Sequence, residues 1–413
     1  MSDLLRLAKN QDRRLRGGHL WVYSNEVDND ATPLKDFAPG QVVNIENAQR
    51  RWLGLGYVNP NSLICARLVT RTPKVALDRS LLVHRIKVAL AARERLYAAP
   101  YYRLLFGEAD GVPGVVVDRY GEFLAVQLTT AGMEAQREAL VGALVKVLKP
   151  VGIILRNDSS VRELEGLSRY VEVAHGQVPD RVMLEEGGCR FEVSLAQGQK
   201  TGWFFDQAAN RDQFLRYVPG RRVLDVCSYV GAWSLRAAHA GADGVVAVDA
   251  SAHALEQMRH NTEMNALSGR VSSLQGDAFQ VLRDLRGQRE RFDVVVLDPP
   301  AFIKRKKDLK EGMLAYRRLN EAALGLLGRD GLLVTASCSF HMQRDQLLRT
   351  VLQSARHGDR SLQLLQQGQQ SPDHPIHPAI PETAYLKAFY LRVLPTLSLI
   401  HIRRCRRSME SVG

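Results

Sequence analysis

Cysteine is scarce in this chain: five among 413 residues, with no CxxC pair. Cys65, Cys189, Cys227, Cys338 and Cys405 are scattered and odd in number, which argues against a disulfide framework and a zinc site. Each is therefore a buried filler or a reactive thiol. Long apolar runs are missing too. No stretch approaches the roughly 18 apolar residues that span a bilayer, so no membrane partner is expected. The N-terminus, MSDLLRLAKNQDRRLRGGHLW, has neither an apolar core nor a small-residue cleavage site, and no secretory signal is read there. The expected location is the cytoplasm. Acid is also in short supply. Lys and Arg number 56 against 44 Asp and Glu, a net charge of +12. That balance favours phosphate-rich partners, because bound cations release condensed counterions.

The remaining composition, 45% apolar and 24% charged, is that of a soluble globular protein long enough for two or three domains. Residues 397–413, LSLIHIRRCRRSMESVG, differ from the rest: four arginines stand against one glutamate. The string LSLIHIRRCRR resembles the translation of a sequencing-library adapter. This segment is read as a non-native tail and left out of the fold.

Three regions are expected. Residues 1–75 alternate short apolar runs with Gly, Asn and Pro turns, a small β-domain pattern. Arg13, Arg14 and Arg16 stand near His19, Trp21 and Tyr23, and cations interleaved with rings suit RNA. The plainer reading makes Trp21 and Tyr23 core residues and the arginines a solvated face. Residues 76–190 predict a small α+β domain, with a helix over 80–100 and a hairpin around Asp118-Arg119-Tyr120-Gly121. Residues 191–396 hold strict strand-helix alternation from 221 onward: RRVLDVCS, GVVAVDA, VSSLQGD, FDVVVLDPP and GLLVTASCS, with helices starting near 232, 252, 278, 314 and 341. Near-continuous apolar strands in that alternation predict a parallel, doubly wound α/β sheet that binds ligands at the carboxyl ends of its strands. The Gln-rich QLLQQGQQ is too short to count as a low-complexity tract.

Those strand ends carry acids. The first runs Asp225-Val226-Cys227-Ser228-Tyr229-Val230-Gly231, a turn that lacks the dinucleotide fingerprint GxGxxG. Asp249 ends the second and can accept from both ribose hydroxyls. Asp277 ends the third and can accept from an adenine amine, with Phe279 near the ring; Asp298-Pro299-Pro300 ends the fourth. Any one acid could be a helix N-cap; four in succession are harder to dismiss. With DPP they resemble the class I S-adenosylmethionine-dependent methyltransferases (a Rossmann-like fold). The resemblance implies S-adenosyl-L-methionine as cofactor, held by Asp225, Tyr229, Gly231, Asp249, Asp277 and Asp298.

After DPP come Lys304, Arg305, Lys306 and Lys307, a run that is either a solvated face or an RNA contact. Amine methyltransferases with (D/N)PP(Y/F/W) stack an aromatic on the base. Here alanine fills that slot and Phe302 comes one later. Pyrimidine C5 methylation instead needs a thiolate that adds to C6. Cys338 lies in Thr335-Ala336-Ser337-Cys338-Ser339, ending the strand beside the DPP strand, so it is the expected nucleophile, with Asp298 beside it. A positive neighbour for the thiol is not visible; His341 is nearby but is read as opening the next helix.

The Ser-Cys-Ser turn is similar to that of bacterial 23S rRNA cytosine-C5 methyltransferases with an N-terminal PUA domain. Gln197-Gly198-Gln199-Lys200-Thr201-Gly202 with Asp206-Gln207, Leu105 to Gly114 with Asp118 to Gly121, and Gly18 to Ser24 resemble other signatures of that family. The family usually has arginine after Asp-Gln; here Ala208 stands there, with Arg211 to compensate. The resemblance implies a PUA domain, a middle domain, a catalytic domain, a 23S rRNA or large-subunit assembly intermediate as partner, and a homodimer. Two rival readings stay open: an exocyclic-amine RNA methyltransferase, and a non-catalytic RNA-binding protein.

Overall fold

A computed structural model describes residues 3–199 and 201–396; the tail from 397 lies outside the described residues. The chain divides into two compact units. Among the described residues, one holds 3–186 with Phe191–Ala208 and Ser371–Ala384; the other holds Gly187–Arg190, Ala209–Gln370 and 385–396. Among the described residues no helix is long and apolar enough to cross a membrane.

The first unit holds two five-stranded sheets. Its opening part is a five-stranded sheet in the order Leu4–Arg6, Val42–Glu46, Trp52–Val58, Ala66–Thr70, Trp21–Val22. Alternation puts Leu5, Val43, Ile45 and Leu68 into its core. A second five-stranded sheet follows, covered by the helices Arg79–Leu96 and Arg137–Leu148. The hairpin expected around Tyr120-Gly121 is present, with Tyr120 paired to Phe123 across a two-residue loop.

Polar groups join the two sheets into one body. Glu165 accepts from Asn59 Nδ2 at 2.8 Å and from Arg67 Nη1 at 2.9 Å. Trp21 is half-buried rather than a core residue, and its indole N–H donates to Glu108 at 2.7 Å. Tyr57 is fully buried, donates to the Pro113 carbonyl at 2.8 Å, and lays its ring on Gly132, where an added Cβ would come within 2.1 Å of it.

The second unit is a seven-stranded sheet. Its strands are β1 (Arg222–Val226), β2 (Gly244–Asp249), β3 (Val271–Gln275), β4 (Phe292–Leu297), β5 (Leu327–Ser337), β6 (Arg360–Gly368) and β7 (Lys387–Pro395), in the order β3-β2-β1-β4-β5-β7-β6. The helices are α1 (Ala232–His239), α2 (Ala252–Met264), α3 (Ala278–Gly287), α4 (Leu309–Leu324) and α5 (Arg344–His357). One face of the sheet buries Leu224, Val226, Val248, Leu297 and Leu333 against Leu282, Tyr316, Leu319, Leu347 and Val351 of the helices. The alternate residues Val223, Val245, Ala247, Val294 and Val296 are equally buried, so both faces are covered.

One expectation needs correction. The sheet is not wholly parallel: β7 runs antiparallel to both β5 and β6. A strand that enters from a neighbouring hairpin arm needs no crossover helix, so alternation does not reveal it. The Gln-rich stretch lies in regular structure. It forms most of β6, the edge strand, whose outer face tolerates glutamine because water covers it.

Candidate active site

The β1–α1 turn is bent sharply. Cys227, Tyr229 and Gly231 all have positive φ, at 67°, 52° and 91°. A Cβ at Gly231 would approach Met258 Cγ to 2.5 Å and Leu235 Cδ1 to 2.6 Å, so glycine is required there. For the other two residues this backbone costs energy, and such strain collects at functional sites. Asp249 holds the turn in place: its Oδ2 accepts the Tyr229 N–H at 2.9 Å while its Oδ1 accepts the Ser251 N–H at 2.9 Å. The side chain is half-buried, and each oxygen keeps a second lone pair.

Asp225 lies beneath, fully buried, accepting from Ser234 Oγ at 2.6 Å; its Oδ1 has no hydrogen-bond partner among the described residues. Burial pushes its carboxyl up to about 7; the neighbouring Asp298 and Asp249 add to this, and the Ser234 hydroxyl opposes it. The folded chain then keeps a proton that the unfolded chain loses near 3.8. Stability therefore falls as pH rises from about 4 to about 7 and levels off above that, a total on the order of 4 kcal/mol. Asp225→Asn, which cannot ionise, is expected to flatten that slope. Melting temperatures taken across this window check it; a slope equal to that of the unaltered chain would place the titration elsewhere.

Asp277 is exposed and caps α3, accepting the Gln280 N–H at 3.1 Å. The N-cap reading thus describes one of its oxygens. Asp298 accepts from the Trp233 indole N–H at 3.1 Å, a partner that nothing in the sequence marks. Phe302 is not free to stack: it packs edge-on against Tyr316, with centroids 4.8 Å apart, and on the core.

Ser337 and Ser339 are both buried, whereas Cys338 between them is half-exposed. Ser337 Oγ donates to the Tyr316 hydroxyl at 2.8 Å, which lies 3.0 Å from Ser339 Oγ. Ser339 Oγ also accepts the Ile303 N–H, tying this turn to the one after DPP. The serines brace the turn from inside, and the alternation of strand side chains leaves the thiol outward. His341 precedes α5 rather than opening it, since the helix starts at Arg344. The positive neighbour that sequence reasoning missed is Lys387, the first residue of β7. It is buried and donates to the Ser339 carbonyl at 2.6 Å.

Cys65 and Cys189 are buried, while Cys227 and Cys338 are each half-exposed. Their surroundings have opposite sign. Burial raises the Cys227 thiol far above its usual range, and Asp249, Asp298, Asp225 and Asp277 all push the same way. Cys338 shares its field with the Lys387 ammonium.

The basic residues fall in both units. Lys304, Arg305, Lys306 and Lys307 are exposed in the segment before α4, with Arg305 paired to Asp308 at 3.3 Å. Arg13 is exposed. Arg14 is engaged with Glu26 at 2.8 Å and lies over the Tyr23 ring.

Four carboxylates along one sheet edge, one of them with an orphaned buried oxygen, fit a ligand rich in hydroxyl, amine and ammonium donors. S-adenosylmethionine is such a ligand. A family model for S-adenosylmethionine-dependent methyltransferases matches residues 168–392, and a PUA-like domain model matches residues 5–71. The class is therefore a methyltransferase that uses S-adenosylmethionine and carries a PUA-like domain. Ribosomal RNA large subunit methyltransferase I of Cronobacter sakazakii is 37% identical over 403 residues, 95% of this chain and 100% of that one. The protein of the same name from Shigella boydii is 36% identical over 399 residues, with 95% and 100% covered. This chain belongs to the family of those methyltransferases. A solved structure described as a SAM-dependent methyltransferase from Streptococcus mutans shares the fold, with a TM-score of 0.80 at 22% identity over 95% of this chain and 100% of that one.

Proposed function

We propose that this chain methylates C5 of a cytosine in large-subunit (23S) ribosomal RNA, with Cys338 as the nucleophile. The contrast between the two half-exposed cysteines carries the reading: carboxylates surround Cys227, and an ammonium stands by Cys338. The relatives' name supplies the substrate class. Asp225, Tyr229, Gly231, Asp249, Asp277 and Asp298 form the cofactor edge in this reading. When bound there, S-adenosylmethionine supplies an electrophilic methyl group.

The work of the chain's own residues lies on the base. The Cys338 thiolate adds to C6, which turns C5 into an enamine-like carbon able to take the methyl. Asp298 is assigned to stabilise the adduct near N3. After a base removes the C5 proton, the sulfur leaves with its electron pair. A paired cytosine hides C5 and C6, so the base must be flipped out or lie in a single strand. The exposed Lys304, Arg305, Lys306 and Lys307 are read as phosphate contacts, together with Arg13. Arg14, already paired to Glu26, is read as a lesser one. The PUA-like part, residues 1–75, is read as the RNA-docking domain, residues 76–190 as the middle domain and residues 191–396 as the catalytic domain. A cytoplasmic location and a homodimer complete the proposal.

The amine-methylating alternative is weakened by Ala301 in the aromatic slot and by Phe302, which packs on Tyr316. Nucleoside analysis of unmodified 23S rRNA incubated with methyl-labelled cofactor separates the two. Label in 5-methylcytidine is expected; label in a methylated amino group would overturn the C5 reading.

A further inference from the structure

A buried lysine is costly unless an anion or a full set of acceptors compensates it. Lys387 has 5% of its surface exposed. Its ammonium has two hydrogen-bond acceptors among the described residues, the Ser339 and Tyr385 carbonyls, at 2.6 and 2.8 Å. No carboxylate pairs with it there. The strand pairing places it directly opposite Ser337, the residue before Cys338.

We propose that Lys387 is a positioning residue that holds the Cys338 sulfur as a thiolate, an inference that rests on the nucleophile reading above. Among the charged and titratable groups that face the pair from neighbouring elements, Arg344 of α5 disfavours the ammonium and Tyr316 of α4 feels the charge of Cys338, while Cys338 itself favours the ammonium. Burial brings the Lys387 amine down to about 8, so both protonation forms are accessible near neutral pH. Coulomb coupling is mutual: if the sulfur anion stabilises the ammonium, the ammonium stabilises the sulfur anion to the same degree. A thiol with an amine and a thiolate with an ammonium contain the same number of protons. One proton passing from Sγ to Nζ thus creates the nucleophile with no net uptake or release. When the sulfur later departs from C6 with its electron pair, the same ammonium receives it.

The bland alternative is a brace: Lys387 only ties down the Ser339 carbonyl. Alkylation by iodoacetamide, followed by peptide mass spectrometry across a pH series on the full chain, distinguishes the two, with Cys227 as internal reference. The midpoint for Cys338 is expected to rise by about one pH unit or more in Lys387→Met, the scale of losing an adjacent opposite charge. Lys387→Arg, permanently charged, is expected to keep the low midpoint. Lys387→Gln can still donate to the carbonyl but carries no charge, so it should behave as Met does. Equal midpoints in the unaltered chain and in the folded neutral variant, Met or Gln, would overturn the proposal and leave the brace. The readout needs no methyl transfer. An active Cys338→Ala enzyme with a shifted Lys387→Met midpoint would sink the nucleophile reading alone; an inactive one with unmoved midpoints would sink only this inference.

Discussion

Replacing Cys338 by alanine is expected to reduce methyl transfer to 23S rRNA to background, a loss of at least ~10³-fold, because in the proposed reaction the residue forms the bond that activates C5. Cofactor affinity should stay within about twofold, since Cys338 follows β5 whereas the acids proposed to hold S-adenosylmethionine end β1, β2, β3 and β4. Cys338→Ser is expected to fail as well. A hydroxyl at that position fits the turn but does not ionise near neutral pH. Scintillation counting of rRNA after incubation with labelled cofactor gives the activity, and titration calorimetry gives the affinity. The fold should survive the change, because Ser337, Ser339 and Tyr316 hold the turn without the thiol. If the alanine enzyme still methylates, Cys338 is a packing residue and the chemistry moves to the amine class.

Asp249→Ala is the second large effect, and it acts on the cofactor. The carboxylate does two jobs in the proposed site: it accepts from the ribose hydroxyls, and it anchors the Tyr229 and Ser251 N–H groups. Losing it frees a turn whose Cys227 and Tyr229 hold a left-handed backbone only because the surroundings impose it. Charge-assisted hydrogen bonds contribute about 1.5–3 kcal/mol each, so losing two weakens S-adenosylmethionine binding by roughly 10² to 10⁴-fold. Asp249→Asn keeps one acceptor oxygen and is expected to fall between. Calorimetry on the purified variants measures this directly. An unchanged dissociation constant for the alanine variant would remove Asp249 from the cofactor edge.

Much of the catalytic unit could be read from residue order alone. Apolar strands alternating with amphipathic segments have one economical packing, and a parallel strand must end at the edge where its turn begins. That is why Asp225, Gly231, Asp249, Asp277, Asp298 and Cys338 could be placed on one edge from the sequence. The same logic could not see β7 reversed beside β5, because a hydrogen-bonded neighbour far along the chain leaves no local pattern. Nor could it see that Arg14 is paired with Glu26, or that Trp21 reaches Glu108, 87 positions away.

The question of charge at the thiol divides in the same way. Sequence determined that a cysteine stands among serines at a strand end, and that acids end the neighbouring strands. Only the tertiary structure decided which cysteine meets those acids and which meets a cation. Lys387 lies 49 residues beyond Cys338, counted along the chain. It reaches the site because antiparallel pairing brings the start of one strand against the end of another. Electrostatic fields act through space, falling off with distance rather than with chain separation. A pairing that sequence does not advertise can therefore set the charge that a thiol meets.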